Sequence, residues 1–402
     1  MIFNEIDATL IDKLKTKGIT EALPIQEAVI PKLLAGENCI FSSATGSGKT
    51  LAYLLPFLSL SSPPALLLII APTYELCSQI KAEIDFFGMP ATLAIGSIPM
   101  NRIIDRLKTD KPLAIVGNPG RLLDLAKMRK LPLRRLRFLV LDEADRLLAP
   151  EMREETEVLL KMLPHQPKER TISPPLAGGA GGGIQWAACS ATIDKKIEQE
   201  IAHLMQPSLY TILNLSHSDA GKALLPENIT HWALFSGDMA GGRRKKIDTL
   251  CSFLAAGSLE KKALGKKTLV FCSRADQAEH TLQRLLHKGH KAAGLWGNLP
   301  KAERKAALDK FRGSGVGVLV TTDLAARGLD IPDVGFVVAM DVPEKGDTYI
   351  HRAGRTGRAG KKGIMLTIGN ENEMHRLAAM EKRLGIVVHP KELYGGRIEN
   401  PE

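Results

Sequence analysis

Short apolar runs recur along the chain, and each is followed by a polar or glycine-rich turn and then by a stretch that favours a helix. The runs in the first half are 38–42, 65–71, 113–116, 138–141 and 186–189. The runs in the second half are 267–272, 317–321, 334–340 and 363–368. Strands that alternate with helices usually pair in parallel, and parallel strands read as continuous apolar runs because both of their faces are buried. The pattern therefore predicts an α/β fold with two parallel sheets.

A polar stretch between Asn214 and Glu227, with Ser, Asp, Gly and Pro, separates the two series of runs. We predict a first domain at 1–215 and a second at 226–395. The glycine-rich insert 173–183 is predicted to be a mobile surface loop, and the lysine-rich segment 259–267 a solvated loop. Neither is assigned a catalytic role.

The charge balance points to a polyanionic partner. Lys and Arg total 54 against 44 acidic residues, which gives a formal charge of +10 and an isoelectric point near 9.3. Such an excess of positive charge favours binding to a polyanion, although a soluble protein can also be basic without such a partner. The 402 residues, 44% of them apolar, suffice for two domains with their own cores.

Cysteine usage and hydropathy bear on the compartment. Five cysteines, Cys39, Cys77, Cys189, Cys251 and Cys272, are scattered without a CxxC pair. This favours buried free thiols in a reducing intracellular compartment; cytoplasm, nucleus, or an organelle after removal of a transit peptide fit equally. No apolar run approaches the ~18–20 residues of a membrane span, and the first residues show no signal-peptide pattern.

A glycine-rich segment follows the 38–42 run: Ser43-Ala44-Thr45-Gly46-Ser47-Gly48-Lys49-Thr50. A strand, a glycine turn and a helix in this order are the context in which such a segment binds phosphate. Backbone N–H groups and the helix N-terminus can hold the β- and γ-phosphates, Lys49 adds a positive charge, and the Thr50 hydroxyl can ligate Mg²⁺. The alternative is a glycine turn without a ligand, which the context disfavours.

The 138–141 run ends in Asp142-Glu143-Ala144-Asp145. A carboxylate at the carboxyl end of a parallel strand faces the crevice where ligands bind. We predict that Asp142 holds Mg²⁺ and that Glu143 polarises the attacking water, because phosphoryl transfer needs both a metal and a group that orients the nucleophile. Such a tetrad can also be a solvated helix start, but the phosphate loop upstream favours the metal site.

Three arginines at three-residue spacing lie in His351-Arg352-Ala353-Gly354-Arg355-Thr356-Gly357-Arg358. At helical spacing they are predicted to share one face. Guanidinium groups bind phosphate oxygens in a fork, and an arginine supplied across an interface to a transferring phosphoryl group is worth about 10³–10⁵ in rate. The alternatives are a solvated basic turn and a patch for RNA phosphates.

These segments belong to an ordered set. It comprises 24–26, 43–50, 71–76, 118–121, 142–145, 190–192, 270–274, 321–330 and 351–358. Any one of these short segments could occur by chance, but the complete set in this order is specific for one family. The set extends over nearly the whole chain. The sequence resembles the DEAD-box RNA helicases of helicase superfamily two. The resemblance implies an α/β fold of two tandem RecA-like parallel-sheet domains with a cleft between them.

The resemblance also implies roles by position. The implied catalytic residues are Lys49, Asp142, Glu143, Arg355 and Arg358. The implied ATP contacts are Phe3, Ile19, Gln26, Thr45, Gly46, Ser47, Gly48, Lys49, Thr50 and Asp330, with Thr50 and Asp142 at Mg²⁺. The residues implied to couple ATP state to domain closure are Asp145, Ser190, Thr192 and His351. The residues implied to line the RNA path are Thr73, Arg121, Arg274 and Thr321.

Some of these residues have plainer alternatives. Gln26 is implied to read adenine because a carboxamide both donates and accepts, but it can also be an ordinary polar helix residue. Ser190 can mark a strand end, and Arg274 and Thr321 can be surface or packing groups.

Several positions depart from the family pattern. They are Ser43 for glycine, Ile19 for an aromatic, Ala44 for glutamine, Tyr74 for arginine, Ser97 in a glycine pair, Asn118 for threonine and Trp296 for histidine. The set for ATP hydrolysis is intact and the RNA set is partly altered, which favours a divergent RNA preference.

The predicted function is an ATP-dependent RNA helicase that couples ATP binding and hydrolysis to RNA binding and local unwinding. Its partner is RNA, gripped mainly through the backbone, and a protein cofactor fits the family; we expect a monomer without a membrane segment. The alternatives are an RNA-clamping or annealing ATPase, a DNA-directed motor of the same superfamily, and a nucleotide-binding scaffold without catalysis.

Overall fold

The computed structural model describes residues 6–43, 46–60, 65–164, 184–191, 193–205, 210–214, 225, 228–237, 242–256, 267–297, 299–313, 315–326, 334–357 and 361–401. The chain divides into two compact units, the first made mainly of 1–216 and the second mainly of 217–402. The predicted break at 214–227 and the predicted loops at 173–183 and 259–267 fall mostly outside the described residues. The domain limits and the mobility of the glycine-rich insert therefore stay predictions.

The first unit is a seven-stranded parallel sheet with helices on its faces, in the order β3-β4-β2-β5-β6-β1-β7. Its strands are β1 Cys39–Ser42, β2 Leu66–Ile70, β3 Ala91–Ala94, β4 Ala114–Gly117, β5 Leu136–Asp142, β6 Gln185–Ser190 and β7 Thr211–Asn214. Its helices are α1 Ala8–Thr16, α2 Pro24–Leu34, α3 Lys49–Leu60, α4 Tyr74–Phe86, α5 Met100–Thr109, α6 Pro119–Lys127, α7 Ala144–Leu147, α8 Arg153–Met162 and α9 Lys195–Met205, with a 3₁₀ turn at Leu133–Arg135.

The central strands are apolar at every position because both faces of the sheet are covered. In β2, Leu66, Leu68 and Ile70 pack in one core cluster. Leu67 and Ile69, which point to the other face, pack in a second cluster. Successive side chains of a strand alternate between faces, so a strand covered on both sides needs an unbroken apolar run.

The second unit is an eight-stranded sheet in the order β10-β11-β9-β12-β13-β8-β14-β15, in which β14 and β15 pair antiparallel and the other neighbours pair in parallel. Its strands are β8 Ile229–Phe235, β9 Lys267–Cys272, β10 Ala292–Leu295, β11 Val318–Thr322, β12 Val334–Ala339, β13 Gly363–Gly369, β14 Val388–Tyr394 and β15 Arg397–Glu399. Its helices are α10 Gly242–Ala255, α11 Ala275–His287, α12 Lys301–Arg312, α13 Asp323–Ala326, α14 Gly346–Ala353 and α15 Glu371–Leu384. Its core is also divided by the sheet, with Val337 on one side and Phe336 on the other.

Two further properties are the burial of the cysteines and the hydropathy of the helices. All five cysteines are buried and free, as predicted. Among the described helices, none is both long and apolar enough to cross a bilayer.

Candidate functional site

The glycine-rich segment joins β1 to α3, as the sequence predicts. Gly46 and Gly48 both have positive φ, at 82° and 88°. A Cβ atom at Gly48 would lie 2.4 Å from Nε2 of Gln26, so this position needs glycine for both its backbone angle and its neighbour. The loop is therefore shaped by close packing against α2.

Polar groups of this loop are arranged for an anion. The Lys49 ammonium donates to the Ser43 carbonyl at 2.5 Å. Burial lowers the pKa of Lys49, against the raising effect of the nearby Asp142 and Glu143 carboxylates. The buried Ser47 hydroxyl has no hydrogen-bond partner among the described residues. A phosphate oxygen would satisfy both groups, so the loop fits a nucleotide.

Gln26 connects α2 to the loop. Its side chain is 1% exposed, its Oε1 accepts from the Leu23 N–H at 3.0 Å, and its Nε2 donates to the Gly48 carbonyl at 3.2 Å. A carboxamide has one further donor hydrogen and one further acceptor position available for a ligand. Ile19 is half-buried and packs against the core cluster beneath α1.

Asp142 lies at the end of β5 with both carboxylate oxygens engaged. Oδ2 accepts from the Tyr53 hydroxyl at 2.7 Å, and Oδ1 accepts from the Glu143 N–H at 2.9 Å and from the Cys189 thiol at 3.2 Å. Burial raises the pKa of Asp142, and the Glu143 charge adds to this. Sequence reasoning missed Tyr53 and Cys189. Tyr53 lies one helical turn after Lys49, and Cys189 is the register partner of Asp142 on β6.

Glu143 has a left-handed backbone, with φ 52°, at the start of α7. This conformation is strained for a residue with a Cβ and is often found at functional positions. The carboxylate lies 3.4 Å from the Arg146 guanidinium, which is itself 9% exposed. Arg146, three positions after Glu143, is thus a third residue that sequence reasoning missed.

Asp145 and Ser190, both assigned to coupling, are brought together. The Ser190 hydroxyl donates to Asp145 Oδ1 at 2.5 Å, joining the start of α7 to the end of β6. Ser190 is fully buried. The strand end therefore holds a defined side-chain contact to the acidic segment.

The prediction that three arginines share one helix face is wrong. Helix α14 ends at Ala353, and Gly354 follows it as the C-cap. Arg352 is buried and donates to both oxygens of Asp323 at 2.7 Å and to Asp341 at 3.0 Å. Arg355 lies past the helix end, 7% exposed, with its Nε donating to the His351 carbonyl at 3.3 Å. Arg352 therefore serves the second unit's own fold.

The RNA residues of the first unit follow adjacent strands. Thr73, after β2, is the N-cap of α4, and its hydroxyl accepts from the Leu76 N–H at 3.2 Å. Arg121, in the first turn of α6 after β4, donates to the carbonyls of Ile95 and Gly96, which follow β3. The carboxyl ends of three neighbouring strands thus gather these groups at one edge of the sheet.

The RNA residues of the second unit differ in exposure. Arg274 is the N-cap residue of α11, and its exposed guanidinium binds both oxygens of Asp276 at 2.9 and 2.7 Å. Thr321 is fully buried in β11, and its hydroxyl donates to the Thr322 carbonyl at 3.2 Å. The roles of both residues stay predictions.

The departures from the family pattern fall in different environments. Tyr74 is 41% exposed at the start of α4, next to Thr73. Trp296 is 8% exposed and packs over Gly294 in the core, so its ring serves the fold. The Asn118 carboxamide oxygen is buried without a partner among the described residues. Five assigned residues lie outside the described residues: Phe3, Thr45, Thr192, Asp330 and Arg358.

Comparison with known proteins agrees with this geometry. The family model described as DEAD/DEAH box helicase matches residues 23–200, and the helicase conserved C-terminal domain matches residues 245–360. The DEAD-box ATP-dependent RNA helicase CshC of Bacillus cereus is 31% identical over 387 residues, covering 94% of this chain and 90% of the relative. The helicase CshA of Bacillus licheniformis is 33% identical over 386 residues, covering 94% and 72%.

A solved structure extends the comparison to the fold. Dbp5 of S. cerevisiae, bound to RNA and ADP BeF3, superposes with a TM-score of 0.78 at 26% identity, covering 96% of this chain and 95% of the other. Two parallel-dominated sheets and a phosphate loop define a two-domain RecA-like helicase. The chain belongs to the DEAD-box ATP-dependent RNA helicases. The predicted family and the predicted class of two RecA-like domains are both confirmed.

Proposed function

We propose that this chain hydrolyses ATP when it binds RNA and that it uses the ATP cycle to separate short RNA duplexes locally. The observation that carries the proposal is the meeting, in one unit, of a phosphate loop containing Lys49 with the acidic pair Asp142 and Glu143. Family membership supports the same activity.

Nucleotide binding is derived from the loop itself. The Ser47 hydroxyl lacks a hydrogen-bond partner among the described residues. The free backbone N–H groups at the N-terminus of α3 carry partial positive charge, which favours the binding of an anion. Lys49 would exchange its bond to the Ser43 carbonyl for a phosphate oxygen. Gln26 holds the loop against α2 and presents its remaining donor and acceptor to a base.

The residues present fit Mg²⁺, which prefers oxygen ligands and keeps several of its waters. Asp142 and Thr50 would hold it, and when bound it would neutralise charge on the β- and γ-phosphates. Tyr53, Cys189 and the Glu143 N–H orient the Asp142 carboxylate beforehand. We propose that Glu143, whose carboxylate lies 3.4 Å from the Arg146 guanidinium, accepts the proton of an attacking water.

We propose that Ser190 and Asp145 couple ATP binding to RNA binding, because their hydrogen bond joins the end of β6 to the start of α7. RNA is proposed to contact Thr73, Arg121 and Arg274 through its backbone, which carries no base sequence. The contributions of Thr192, His351, Arg355 and Arg358 are proposed from the family pattern. We also propose a monomer that accommodates a protein cofactor and works in a reducing compartment.

The first test is steady-state ATP hydrolysis with single-stranded RNA, with matched DNA and without nucleic acid. Strong stimulation by RNA alone is expected. Equal stimulation by DNA would favour the DNA-directed motor, and activity that is absent or independent of RNA would contradict the proposal. A duplex-displacement assay then separates unwinding from clamping.

Two variants locate the chemistry in the first unit. Lys49→Ala should abolish hydrolysis, and Glu143→Gln should bind ATP and RNA but turn over poorly, because it keeps the binding groups and loses the base. Wild-type turnover in either variant would remove the role assigned to that residue.

A further inference from the structure

A strongly basic segment connects α6 to β5 at the amino end of the first sheet. Residues 127–137 read Lys-Met-Arg-Lys-Leu-Pro-Leu-Arg-Arg-Leu-Arg, so six of the eleven side chains are cations. No Asp or Glu occurs between Asp124 and Asp142. None of the roles assigned above uses this part of the chain, which is named here the basic segment.

The backbone of the basic segment is held in place while four of its cations face solvent. Leu131 and Leu136 are 6% and 1% exposed and anchor it in the core. The Arg135 guanidinium donates to the Pro112 carbonyl at 3.3 Å. The exposed cations are Lys127, Arg129, Lys130 and Arg134. In the described part of the chain, none of these four has a carboxylate within ion-pair distance.

Helix capping accounts for one of these cations. Lys127 lies in the last turn of α6, where a positive charge stabilises the helix dipole. That effect fades beyond the last turn, so it does not explain Lys130 or Arg134. Arg129 follows the helix with φ 56°, in the left-handed conformation for which glycine is preferred. Arg129 therefore occupies a backbone position that favours glycine.

The basic segment lies at the opposite end of the sheet from the nucleotide site, and α6 connects it to Arg121 on the proposed RNA path. Asp142 is at the other end of β5, roughly 20 Å away for a strand of this length. Arg121 is in the first turn of α6, and Lys127 ends the same helix, only about 9 Å further along its axis. Asp124, between them, lies 3.8 Å from the Arg121 guanidinium.

We propose that the basic segment binds the phosphate backbone of RNA that extends past Arg121 along α6. Ammonium and guanidinium groups bind phosphate without reading base sequence. From Lys127 to Arg134 the chain has four exposed cations and no Asp or Glu, and this positive charge complements a polyanion. The proposal rests on the proposed RNA-dependent activity and adds to it a grip on RNA outside the core path.

The experiment compares two RNAs on the full chain. One is a short single strand that only covers the core path, and the other is a longer single strand that can also reach the basic segment. The variant Lys127→Gln/Lys130→Gln/Arg134→Gln should bind the long RNA about tenfold more weakly, and the slope of log affinity against log salt should fall by about 2. Binding of the short RNA, and the ATPase that it stimulates, should be unchanged.

A control variant, Lys195→Gln/Lys196→Gln/Lys305→Gln, removes the same charge from other exposed positions. It should bind the long RNA like the wild type. An equal loss in this control would show that net charge alone matters, and an equal loss on the short RNA would place the basic segment in the core path. Either result overturns the proposal.

Arg129→Gly separates binding from folding. It removes a cation and also relieves the left-handed backbone, so the thermal midpoint should rise while the affinity for long RNA falls. If neither this variant nor the triple variant changed the affinity for the long RNA, the proposal would be overturned. Failure of the short RNA to stimulate wild-type ATPase would instead contradict the proposed function.

Discussion

At the scale of single residues, the carboxylates with proposed catalytic roles are oriented by neighbouring side chains that have no catalytic role of their own. Asp142 is fixed by Tyr53 and Cys189, and Glu143 by Arg146. Such partners orient a ligand before it meets its metal or substrate, and their loss typically costs about 10–100-fold in metal affinity. This predicts measurable effects from conservative substitutions near the site.

Tyr53→Phe should raise the Mg²⁺ concentration needed for tight nucleotide binding by about tenfold, because Asp142 loses the donor that orients its Oδ2. A titration with fluorescent ADP at several Mg²⁺ concentrations measures this, and binding without Mg²⁺ should not change. Tyr210→Phe, which removes a hydroxyl elsewhere in the same unit, is the matched control. An unchanged Mg²⁺ requirement in Tyr53→Phe would refute the positioning role.

Arg352→Gln tests the correction to the arginine prediction. Burial lowers the pKa of Arg352, but its bonds to Asp323 and Asp341 outweigh this and raise it, so the side chain stays charged. Removing it leaves two partly buried carboxylates without their partner, which should cost roughly 3–5 kcal/mol of unfolding free energy. Denaturant unfolding measures the loss.

Arg274→Gln is the control for that experiment, because it breaks an ion pair whose two side chains are both exposed. Exposed pairs contribute little to stability. If Arg352→Gln were no more destabilising than Arg274→Gln, the buried ion pairs would not be structural.

At the scale of elements, the phosphate loop packs closely against α2 through the contact of Gly48 with Gln26. The sequence predicted strand, loop and helix, and the nine apolar runs all became strands. Six further strands were not predicted. Four of these, β3, β7, β10 and β15, are the outermost strands of their sheets, where less of the surface is covered and a continuous apolar run is not required.

Gly48→Ala should weaken nucleotide binding by more than about tenfold, because the new Cβ would displace Gln26 and because φ 88° is strained for alanine. Fluorescent nucleotide binding and a thermal melt measure both effects. Gly18→Ala has nearly the same strain, with φ 74°, but nothing within 4 Å of the new Cβ. Comparable loss of binding in Gly18→Ala would show that general strain, and not the contact with Gln26, is responsible.

At the scale of the whole molecule, the apolar cores of the two units bury all five thiols. Burial raises the pKa of Cys39 and of Cys272 to about 12 and raises those of the other three as well. A thiol reacts as its thiolate, so buried thiols with raised pKa values are inert near neutral pH.

A thiol-labelling assay should therefore find little rapid reaction in the native protein and full reaction of five thiols after denaturation. Cys251 is the least deeply buried, at 9% exposure, and should label first as the protein is destabilised. Rapid native labelling of Cys39 or Cys189 would contradict the packing of the first sheet.

The sequence by itself determined the family, the α/β class, the central strands and the residues of the phosphate loop and acidic segment. These follow from local patterns: an apolar run needs only its own residues to indicate a buried strand, and a glycine turn before a helix indicates phosphate binding. Lys49, Asp142 and Glu143 could be named because their types and spacing suffice for the chemistry.

Only the tertiary structure decided which distant side chains meet. Tyr53 and Cys189 are 89 and 47 positions from Asp142, and they reach it because β5 lies beside β6 and α3 packs nearby. Arg352 binds Asp323 and Asp341, which lie far from it in the sequence, and α14 ends before Arg355, so that the two arginines do not share a helix. Strand order and helix ends depend on how the whole core packs, and that information is shared among residues far apart in the chain.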